Sequence, residues 1–358
     1  MRVEIFSILY RSIRSIITNV IYLYQRIFFL PKDLEPAVKF GDKALGHFSL
    51  LRGLFYEFPL PVAYSLDIHG LIFRSPLIGA SFKSDKMALD TWLHMGLGGL
   101  IFKTIMRDVR EGNPRPRLQD VALDGDRGLV NALGLPGEGI EDFIGYLPRS
   151  DLWSHGRPLG ISIGGDHIED YIYSIRSIES VLSDERSNYF YELNISCPNT
   201  ENGLTIGDDP EKLNDLLSNI REDISKVISV KISPDTSNKI LNEIGEVCSS
   251  HQWMIINTGN TQFRTREELG LSKINFSING GGLSGPALFT RTLEMVKALS
   301  GLDIPIMATG GVSNLSHVNA LQNAGASLFG MATSLVLDPY CVPRINRQLK
   351  ENVYDRTN

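Results

Sequence analysis

The chain has 358 residues, 42% of them hydrophobic and 21% charged, with a formal net charge of −6. This composition allows a large core and argues against disorder, and the acidic balance argues against a general nucleic-acid-binding protein. The three cysteines, Cys197, Cys248 and Cys341, are too few and too widely spaced for a disulfide framework, and they fit a reducing compartment. No CxxC, HxH or HExxH spacing occurs, so we expect no metal site.

Residues 1–30 combine many apolar residues with four arginines. The apolar residues recur at helical spacing, at Phe6, Leu9, Ile13, Ile16, Ile17, Val20, Tyr24 and Ile27. The longest uncharged run, Ser15–Gln25, is too short for a bilayer span of about 20 apolar residues, and no signal-peptide cleavage site follows. A basic helix with a broad apolar face is typical of a helix lying on a membrane surface. The alternative is a helix packed on its own protein or in a dimer.

A second helix is predicted between Pro31 and Pro61, with Asp33 as its cap. Its apolar face consists of Leu34, Ala37, Val38, Ala44, Leu45 and Phe48. Residues 62–75 predict a β-hairpin that turns at His69-Gly70. We therefore expect an N-terminal helical extension over residues 1–60 and a second domain over residues 61–358.

Short apolar runs recur along the second domain and predict eight strands. They lie at 76–81, 99–103, 158–163, 189–196, 227–232, 252–257, 304–309 and 326–331. Most are separated by amphipathic stretches, of which 209–222, 236–249, 287–299 and 314–324 are the clearest. Eight strands alternating with helices predict an α/β protein of the (β/α)₈, or TIM, barrel class. The main alternative, a doubly wound open sheet, would normally carry GxGxxG after its first strand, and none occurs there.

Polar residues or glycines follow most of the predicted strands. They are Ser81, Lys103-Thr104, Ser162, Asn194 to Asn199, Lys231, Asn257-Thr258, Gly310-Gly311 and Thr333. In a barrel all these strand ends meet on one face, where active sites are built. Free backbone N–H groups after the last two strands indicate a phosphorylated cofactor. The ordinary alternatives are solvated strand ends for Lys103 and Lys231 and a simple turn at Asn131.

The sequence YELNISCPNT, residues 191–200, is the most informative stretch. An apolar, β-prone run stops at a cluster of Asn194, Ser196, Cys197 and Asn199, and Pro198 prevents the strand from continuing. Two amides beside a thiol suit a site for a polar planar ligand. The alternative is a strand cap with a buried cysteine.

This stretch resembles the active-site motif of the dihydroorotate dehydrogenases. Further motifs match that family in order: GNPRPRL (112–118), NALGLP (131–136), ELNISCPNT (192–200), VKISPD (230–235), GGLSGPAL (281–288) and ATGGV (308–312). The resemblance covers the chain from about Leu66 to Asp338. It implies a barrel that binds FMN and oxidises dihydroorotate to orotate in pyrimidine synthesis.

The resemblance also implies roles for individual residues. Cys197 is expected to be the catalytic base, and Lys103 to stabilise negative charge on the substrate. The expected substrate contacts are Asn131, Ala132, Leu133, Gly134, Leu135, Asn194, Asn199, Asn257 and Thr258. The expected FMN contacts are Ala80, Ser81, Thr104, Ser162, Asn194, Lys231, Gly285, Gly310, Gly311, Ala332 and Thr333. Three glycines and a proline make the loop 131–139 a candidate lid.

The motifs mix features of two classes within the family. The membrane-bound, quinone-using class carries Ser as base, a Lys where this chain has Ser84, and Tyr-Thr after the last strand. The soluble class, which includes fumarate users, matches Cys197, Lys103, Gly134-Leu135-Pro136 and Ala332, but it lacks an N-terminal helical extension.

For the choice of electron acceptor, we give the N-terminal extension more weight than the core motifs. We expect a peripheral enzyme on the cytoplasmic side of the membrane that passes electrons to quinone. The alternatives are fumarate as acceptor, another flavin barrel such as a tRNA dihydrouridine synthase, and a non-catalytic membrane-attached scaffold.

Replacing the predicted base tests the role of the thiol. Cys197→Ala should bind FMN normally and slow flavin reduction by dihydroorotate at least about 100-fold, because a positioned base contributes about 10²–10⁴-fold. Cys197→Ser should shift the pH dependence upward, since a hydroxyl is a weaker acid than a thiol. Stopped-flow flavin absorbance measures both effects. Wild-type reduction rates in Cys197→Ala would show that another group is the base.

Overall fold

The computed structural model describes residues 1–47, 52–123, 125–182, 188–196 and 206–357, except for the side chains of 45–47 and 352–357. The strands are β1 (Leu66–Ile68), β2 (Leu71–Phe73), β3 (Leu77–Gly79), β4 (Gly99–Ile105), β5 (Leu118–Leu123), β6 (Asp126–Asn131), β7 (Leu159–Ile163), β8 (Tyr189–Asn194), β9 (Ile228–Ile232), β10 (Met254–Thr258), β11 (Gln262–Thr265), β12 (Gly280–Ser284), β13 (Ile306–Thr309) and β14 (Leu328–Met331). The α-helices are α1 (Arg2–Ile27), α2 (Glu35–His47), α3 (Arg52–Phe55), α4 (Lys86–His94), α5 (Gly139–Tyr146), α6 (Ile168–Val181), α7 (Pro210–Asp223), α8 (Asn238–Ser249), α9 (Phe289–Leu299), α10 (Leu315–Asn323), α11 (Thr333–Leu337) and α12 (Cys341–Thr357).

Eight parallel strands form a closed barrel in the order β3-β4-β7-β8-β9-β10-β13-β14, and β14 pairs with β3 to complete the circle. Each of the eight predicted apolar runs overlaps one of these strands, so the predicted (β/α)₈ barrel is confirmed. The strands are short and almost entirely buried, as expected for a parallel sheet covered by helices outside and by side chains within. The four clearest amphipathic stretches correspond to α7, α8, α9 and α10.

The predicted hairpin of β1 and β2 closes the amino-terminal end of the barrel. Its turn residues His69 and Gly70 have φ of 53° and 84°, the backbone that a tight two-residue hairpin needs. Side chains of the hairpin pack on the inward residues at the strand starts, for example Phe73 on Phe190 at a ring distance of 6.2 Å. Among the described residues, the barrel therefore opens at the carboxyl ends of its strands.

An antiparallel sheet in the order β11-β12-β6-β5 stands at that open end. It is built from insertions after β4 and after β10, and the sequence analysis predicted none of its strands. Val121, Val130, Phe276 and Leu283 form a small core beneath it. The sheet matters for the site because β6 ends at Asn131.

The N-terminal extension folds as predicted into helices that lie on the barrel. The N–H of Glu35 donates to Asp33 at the start of α2 at 2.9 Å, which confirms the predicted cap. Leu45 and Phe48, expected on the apolar face of α2, lie outside the described side chains.

Helix α1 contacts the protein through both apolar and polar side chains and leaves many further apolar side chains exposed. Val3 is buried in the core, and Phe6 and Tyr10 pack against it. Ser7 donates to Asp338 at 2.7 Å, Arg14 pairs with Asp120 at 2.8 Å, and Gln25 donates to the carbonyl of Asp33 at 2.9 Å. The exposed apolar residues of α1 and the turn after it are Ile5, Ile8, Leu9, Ile13, Ile16, Val20, Leu23, Tyr24, Ile27, Phe28, Phe29 and Leu30. A surface helix normally buries its apolar stripe, so the amount of apolar surface that α1 leaves exposed is unusual. Within the described part of the chain, no helix has the length and apolar character to cross a bilayer.

Candidate active site

A cavity of about 1660 Å³ opens at the carboxyl ends of the barrel strands and continues between α1 and α2. Most of the predicted site residues line it: Ala80, Ser81, Lys103, Thr104, Asn131, Ala132, Leu133, Gly134, Leu135, Asn194, Lys231, Gly285, Gly310, Gly311, Ala332 and Thr333. They come from separate strands and loops, and closure of the barrel brings them together. Their individual roles stay predictions.

Other predicted residues lie elsewhere. Ser162 stands behind Thr104, and their hydroxyls are 3.0 Å apart. Asn257 and Thr258 are fully buried: the amide of Asn257 faces the barrel interior, and the Thr258 hydroxyl points to the carbonyl of Met307 at 3.5 Å. None of these three side chains lines the cavity. Cys197 and Asn199 lie outside the described residues.

A β-bulge places two neighbouring site residues on the same wall of the cavity. Side chains of consecutive residues in a regular strand point to opposite faces. The register between β4 and β7 shifts between Phe102 and Ile105, and both intervening residues, Lys103 and Thr104, line the cavity. Bulges often redirect side chains in this way beside active sites.

A buried polar network closes the floor of the site around Glu192. Ser81 donates to Glu192 Oε1 at 2.5 Å, and Asn257 donates to Glu192 Oε2 at 2.7 Å. Lys231 donates to Ser81 at 2.9 Å, and its Nζ lies 3.9 Å from Glu192 Oε1. The sequence analysis missed Glu192. Glu192 is two residues from Phe190 and two from Asn194, so the alternation of side chains along a strand places all three on the inward face of β8. This alternation could have identified Glu192 from the sequence.

A second network surrounds Asn194. Its side-chain amide donates to Thr104 at 3.0 Å, and its oxygen accepts from Ser196 at 3.0 Å and from Asn260 at 3.4 Å. Asn260 also donates to Ser196 at 2.6 Å. Ser196 and Asn260 both line the cavity although neither was predicted as a contact. For Asn260 the signal was its position just after the end of β10.

The loop after β6 is held by several hydrogen bonds and reaches Lys103. Arg117 donates to the carbonyls of Asn113 at 2.7 Å and Leu133 at 3.4 Å, and Asn113 donates to the carbonyl of Ala132 at 2.8 Å. Lys103 donates to the carbonyl of Pro136. The loop predicted as a lid therefore forms one wall of the cavity beside Lys103.

The environment of Lys103 lowers its basicity. Burial is the main cause, and the positive charges of Arg117 and Lys83 add to it, while Glu35 opposes it. Together they lower the pKa of Lys103 from its usual 10.5 to about 8. Its charge therefore responds to pH in the weakly alkaline range.

Glycines shape the part of the cavity beyond β13 and β14. Gly310 and Gly311 have φ of 137° and 74°, and a Cβ on Gly311 would lie 2.7 Å from Phe289. Because β13 and β14 are neighbours, the chain at 310–311 lies beside Ala332 and Thr333. This is the usual phosphate-binding position of such barrels.

One group of possible metal ligands lies outside this cavity. Among the described residues, Asp90, His94 and His155 bring their ligand atoms within 4.8 Å of one another. His155 is hydrogen-bonded to Asp90 at 2.8 Å. The group lies near the starts of β4 and β7, at the opposite end of the barrel from the predicted site. The expectation of no metal site stays a prediction.

Comparison with known proteins identifies the family. The family model described as dihydroorotate dehydrogenase matches residues 64–353. The chain belongs to the dihydroorotate dehydrogenase family. Two similar curated proteins are both described as dihydroorotate dehydrogenase B (NAD(+)), catalytic subunit. The one from Bacillus cytotoxicus is 30% identical over 292 residues, 79% of this chain and 90% of its own. The one from Malacoplasma penetrans is 29% identical over 293 residues, 80% of this chain and 92% of its own.

A solved structure supports the fold over most of the chain. The crystal structure of the Eimeria tenella dihydroorotate dehydrogenase in complex with ferulenol superposes with a TM-score of 0.73 at 20% identity. The match covers 89% of this chain and 92% of that chain. That share is larger than residues 61–358 alone, so the match includes part of the N-terminal extension.

Dihydroorotate dehydrogenases are FMN-dependent, and the cavity fits that cofactor. The backbone at Gly310, Gly311 and Thr333 would hold the phosphate. Lys231, nine-tenths buried on the cavity wall, would face the flavin ring together with Ser81. Behind the cavity wall, Asn257 Oδ1 is a buried acceptor with no hydrogen-bond partner among the described residues, but this side chain does not reach the cavity. When bound, FMN supplies the acceptor for a hydride from the substrate.

The pKa of Lys103 gives a test of its predicted role. Dihydroorotate and orotate are anions, so protonated Lys103 should favour their binding. Deprotonation above about pH 8 should weaken orotate binding by up to about tenfold per pH unit, because the bound anion stabilises the charged lysine. Orotate titrations of the holoenzyme between pH 7 and 10, read by the flavin spectrum, measure this.

Lys103→Met is the matched control. It removes the pH dependence that comes from the lysine and keeps any pH dependence that comes from orotate itself. It should keep its flavin, bind orotate weakly and lose the excess pH dependence. An identical pH profile in the wild type and the variant would remove Lys103 from the substrate site.

Proposed function

We propose that this dihydroorotate dehydrogenase passes its electrons to a membrane quinone, which reaches the flavin between α1 and α2. The observation that carries the proposal is the continuity of the cavity. The same space is lined by Lys103 and Asn131 at the strand ends and by Ile13 and Ile17 of α1 farther out.

The outer part of the cavity suits an apolar acceptor. From α1 and α2 it is lined by the apolar residues Ile13, Ile17, Ala37, Val38 and Ala44. Arg14, which also lines it, is paired with Asp120 at 2.8 Å, and the Asp42 carboxylate is paired with Lys83. Paired charges expose less polarity to a ligand than free ones. A lipid-soluble ring could pass between the two helices along these apolar side chains, and the cations Arg11 and Lys39 line the same part of the cavity.

The outward face of α1 supports a peripheral membrane contact at the cytoplasmic side. Val20, Ile16 and Leu23 are 57–61% exposed, and nine more apolar side chains continue the stripe along the helix and its turn. Contiguous exposed apolar surface of this kind marks an interaction site. Arg11 and Arg26 on the same helix suit lipid headgroups. Contact on this face would place the opening between α1 and α2 beside the source of quinone.

A soluble acceptor is the second candidate, and the relatives favour it. The two curated relatives from Bacillus cytotoxicus and Malacoplasma penetrans are described as NAD(+) enzymes, each as a catalytic subunit. Cys197, Lys103 and Ala332 likewise match the soluble class. In that case a partner protein would cover α1 and carry electrons to NAD(+), or fumarate would enter at the barrel mouth.

The substrate half-reaction is the same under both proposals. The asparagines on the cavity wall hold the planar ring, Lys103 holds negative charge, and Cys197 takes the proton. The loop at 132–136 covers this end of the cavity and limits the access of water. The acceptor alone distinguishes the candidates.

Narrowing the part of the cavity between α1 and α2, called the slot below, tests whether quinone is the electron acceptor. Val38→Trp should lower turnover with a short-chain quinone at least about tenfold, because a tenfold loss needs a barrier only about 1.4 kcal/mol higher. Flavin reduction by dihydroorotate in a single turnover should stay within about twofold, since Val38 lies on the outer part of the cavity. Turnover with quinone, fumarate and NAD(+) is compared for the wild type and the variant.

Phe40→Trp is the matched control, because Phe40 is half-exposed on the same helix and does not line the cavity. It should leave both half-reactions unchanged. Wild-type turnover with fumarate or NAD(+) and none with quinone would refute the quinone proposal. An equal loss of flavin reduction in Val38→Trp would show that the slot is not specific to the acceptor.

The membrane contact has its own test. Replacing Ile16, Val20 and Leu23 together by Gln should weaken binding to vesicles of anionic and zwitterionic phospholipid at least about tenfold. Burying each apolar side chain contributes about 1–3 kcal/mol, and a neutral amide removes that contribution without changing charge. Vesicle co-sedimentation measures the binding.

Ile72→Gln is the control for the vesicle test, because Ile72 is an exposed apolar residue on the hairpin at the other end of the barrel. It should bind vesicles like the wild type. If the triple variant binds equally well, α1 does not contact lipid. A wild-type dimer that the triple variant dissociates would assign the face to self-association.

A further inference from the structure

Glu192 is a fully buried carboxylate directly behind the wall of the site. It lies on β8, with no exposed surface, and it does not line the cavity. Its two oxygens accept hydrogen bonds from Ser81 at 2.5 Å and from Asn257 at 2.7 Å. Glu192 therefore touches residues of the site without reaching the space where ligands bind.

The charged partner of Glu192 does line the cavity. Lys231 lies on β9, 5% exposed, with its Nζ 3.9 Å from Glu192 Oε1. The hydroxyl of Ser81 joins the two groups, because it accepts from Lys231 at 2.9 Å and donates to Glu192. The three side chains form a directed chain from the cavity wall inward.

Stability gives little reason to keep this arrangement. Withdrawing a carboxylate and an ammonium from water costs several kcal/mol each, and apolar replacements of a buried pair are often as stable. Strongly perturbed or paired charges in a cleft are instead frequent at functional sites. Because the Glu192–Lys231 pair lies at the floor of the FMN cavity, we expect it to act on the bound cofactor.

We propose that Glu192 is a positioning residue that fixes Lys231 on the cavity wall and offsets its charge, and so sets the reduction potential of the bound FMN. The proposal rests on the predicted contact of Lys231 with FMN. A lone buried lysine would present a full positive charge and would strongly favour the reduced flavin, which carries more negative charge. With Glu192 beside it, the lysine presents a weaker field. The flavin then stays a good enough reductant to pass its electrons on.

The direction of the effect follows from the charges. Glu192→Gln removes the negative charge and keeps the shape and a hydrogen-bonding end. The two-electron equilibrium should move toward reduced flavin by about tenfold, which is about 30 mV more positive for a two-electron couple. Equilibration of the purified holoprotein with a reference dye measures the midpoint potential. No electron acceptor of the enzyme takes part, so the result does not depend on the quinone proposal.

Two further variants make the test specific to charge. Glu192→Asp keeps the charge with a shorter side chain, so its potential should lie close to that of the wild type. Asp303→Asn removes an exposed carboxylate in the turn before β13, remote from the cavity, and should change nothing. FMN content and the melting temperature of each preparation show that the variants are folded and loaded.

An unchanged or lower potential in Glu192→Gln would overturn the proposal. An equal rise in Glu192→Asp would also overturn it, because packing rather than charge would then be the cause. If Glu192→Gln folds but retains no FMN, Glu192→Asp decides the question. A Glu192→Asp variant that retains FMN at the wild-type potential supports the charge role of Glu192, and loss of FMN in both variants refutes it.

Discussion

Closure of the parallel barrel is the constraint on which the rest of the structure depends. Every strand runs in the same direction, so all eight carboxyl ends lie on one rim, and the β1–β2 hairpin closes the other end. Side chains that are far apart in sequence, such as Ser81, Asn194 and Lys231, meet for this reason alone. The inserted antiparallel sheet then adds Asn131 from above. The site is thus an outcome of topology, and each residue contributes chemistry at a position that the barrel has already fixed.

The N-terminal helices depend on the barrel in a different way. They add no strand to it. Helix α1 attaches through apolar contacts of Val3, Phe6 and Tyr10 and through polar contacts such as Ser7 with Asp338. These contacts leave many apolar residues of α1, such as Ile16, Val20 and Leu23, exposed and available to another surface. The orientation of α1 therefore favours an interaction role over a purely structural one.

The sequence predicted the barrel well because its signals are local. Short apolar runs alternating with amphipathic stretches identify strands and helices whatever the tertiary contacts are, and the residues after each run identify the rim. Strands β5, β6, β11 and β12 were missed because they are partly exposed and mix polar residues and glycines with apolar ones, so they show no continuous apolar run. Asn257 was expected to line the cavity from the motif alone. Its packing against Glu192 depends on β8 and β10 approaching from opposite sides of β9, which no local pattern encodes.

The direction in which α1 faces was also beyond a sequence argument. Helical periodicity shows that one side is apolar, but it does not show which side the protein covers. That choice depends on partners such as Asp120 and Asp338, which lie far along the chain. Glu192 could have been predicted from the sequence, because an acidic residue at an inward position of a buried strand is unfavourable and needs an explanation. Such a conflict between local pattern and environment often identifies a functional position.

The extension and the substrate site are linked through ion pairs on α2. Glu35 binds Arg117 at 2.8 Å, and Asp42 is paired with Lys83. Arg117 and Lys83 are the two cations that lower the pKa of Lys103, and Glu35 opposes them. Removing residues 1–60 would therefore remove Glu35 and Asp42, the partners of these two cations, and would also open the cavity around Lys103 to water. Both changes alter the environment of Lys103, and so the substrate half-reaction, in addition to removing the passage between α1 and α2. Truncation consequently confounds the two half-reactions, whereas single substitutions in the slot keep α2 and its ion pairs in place and separate them.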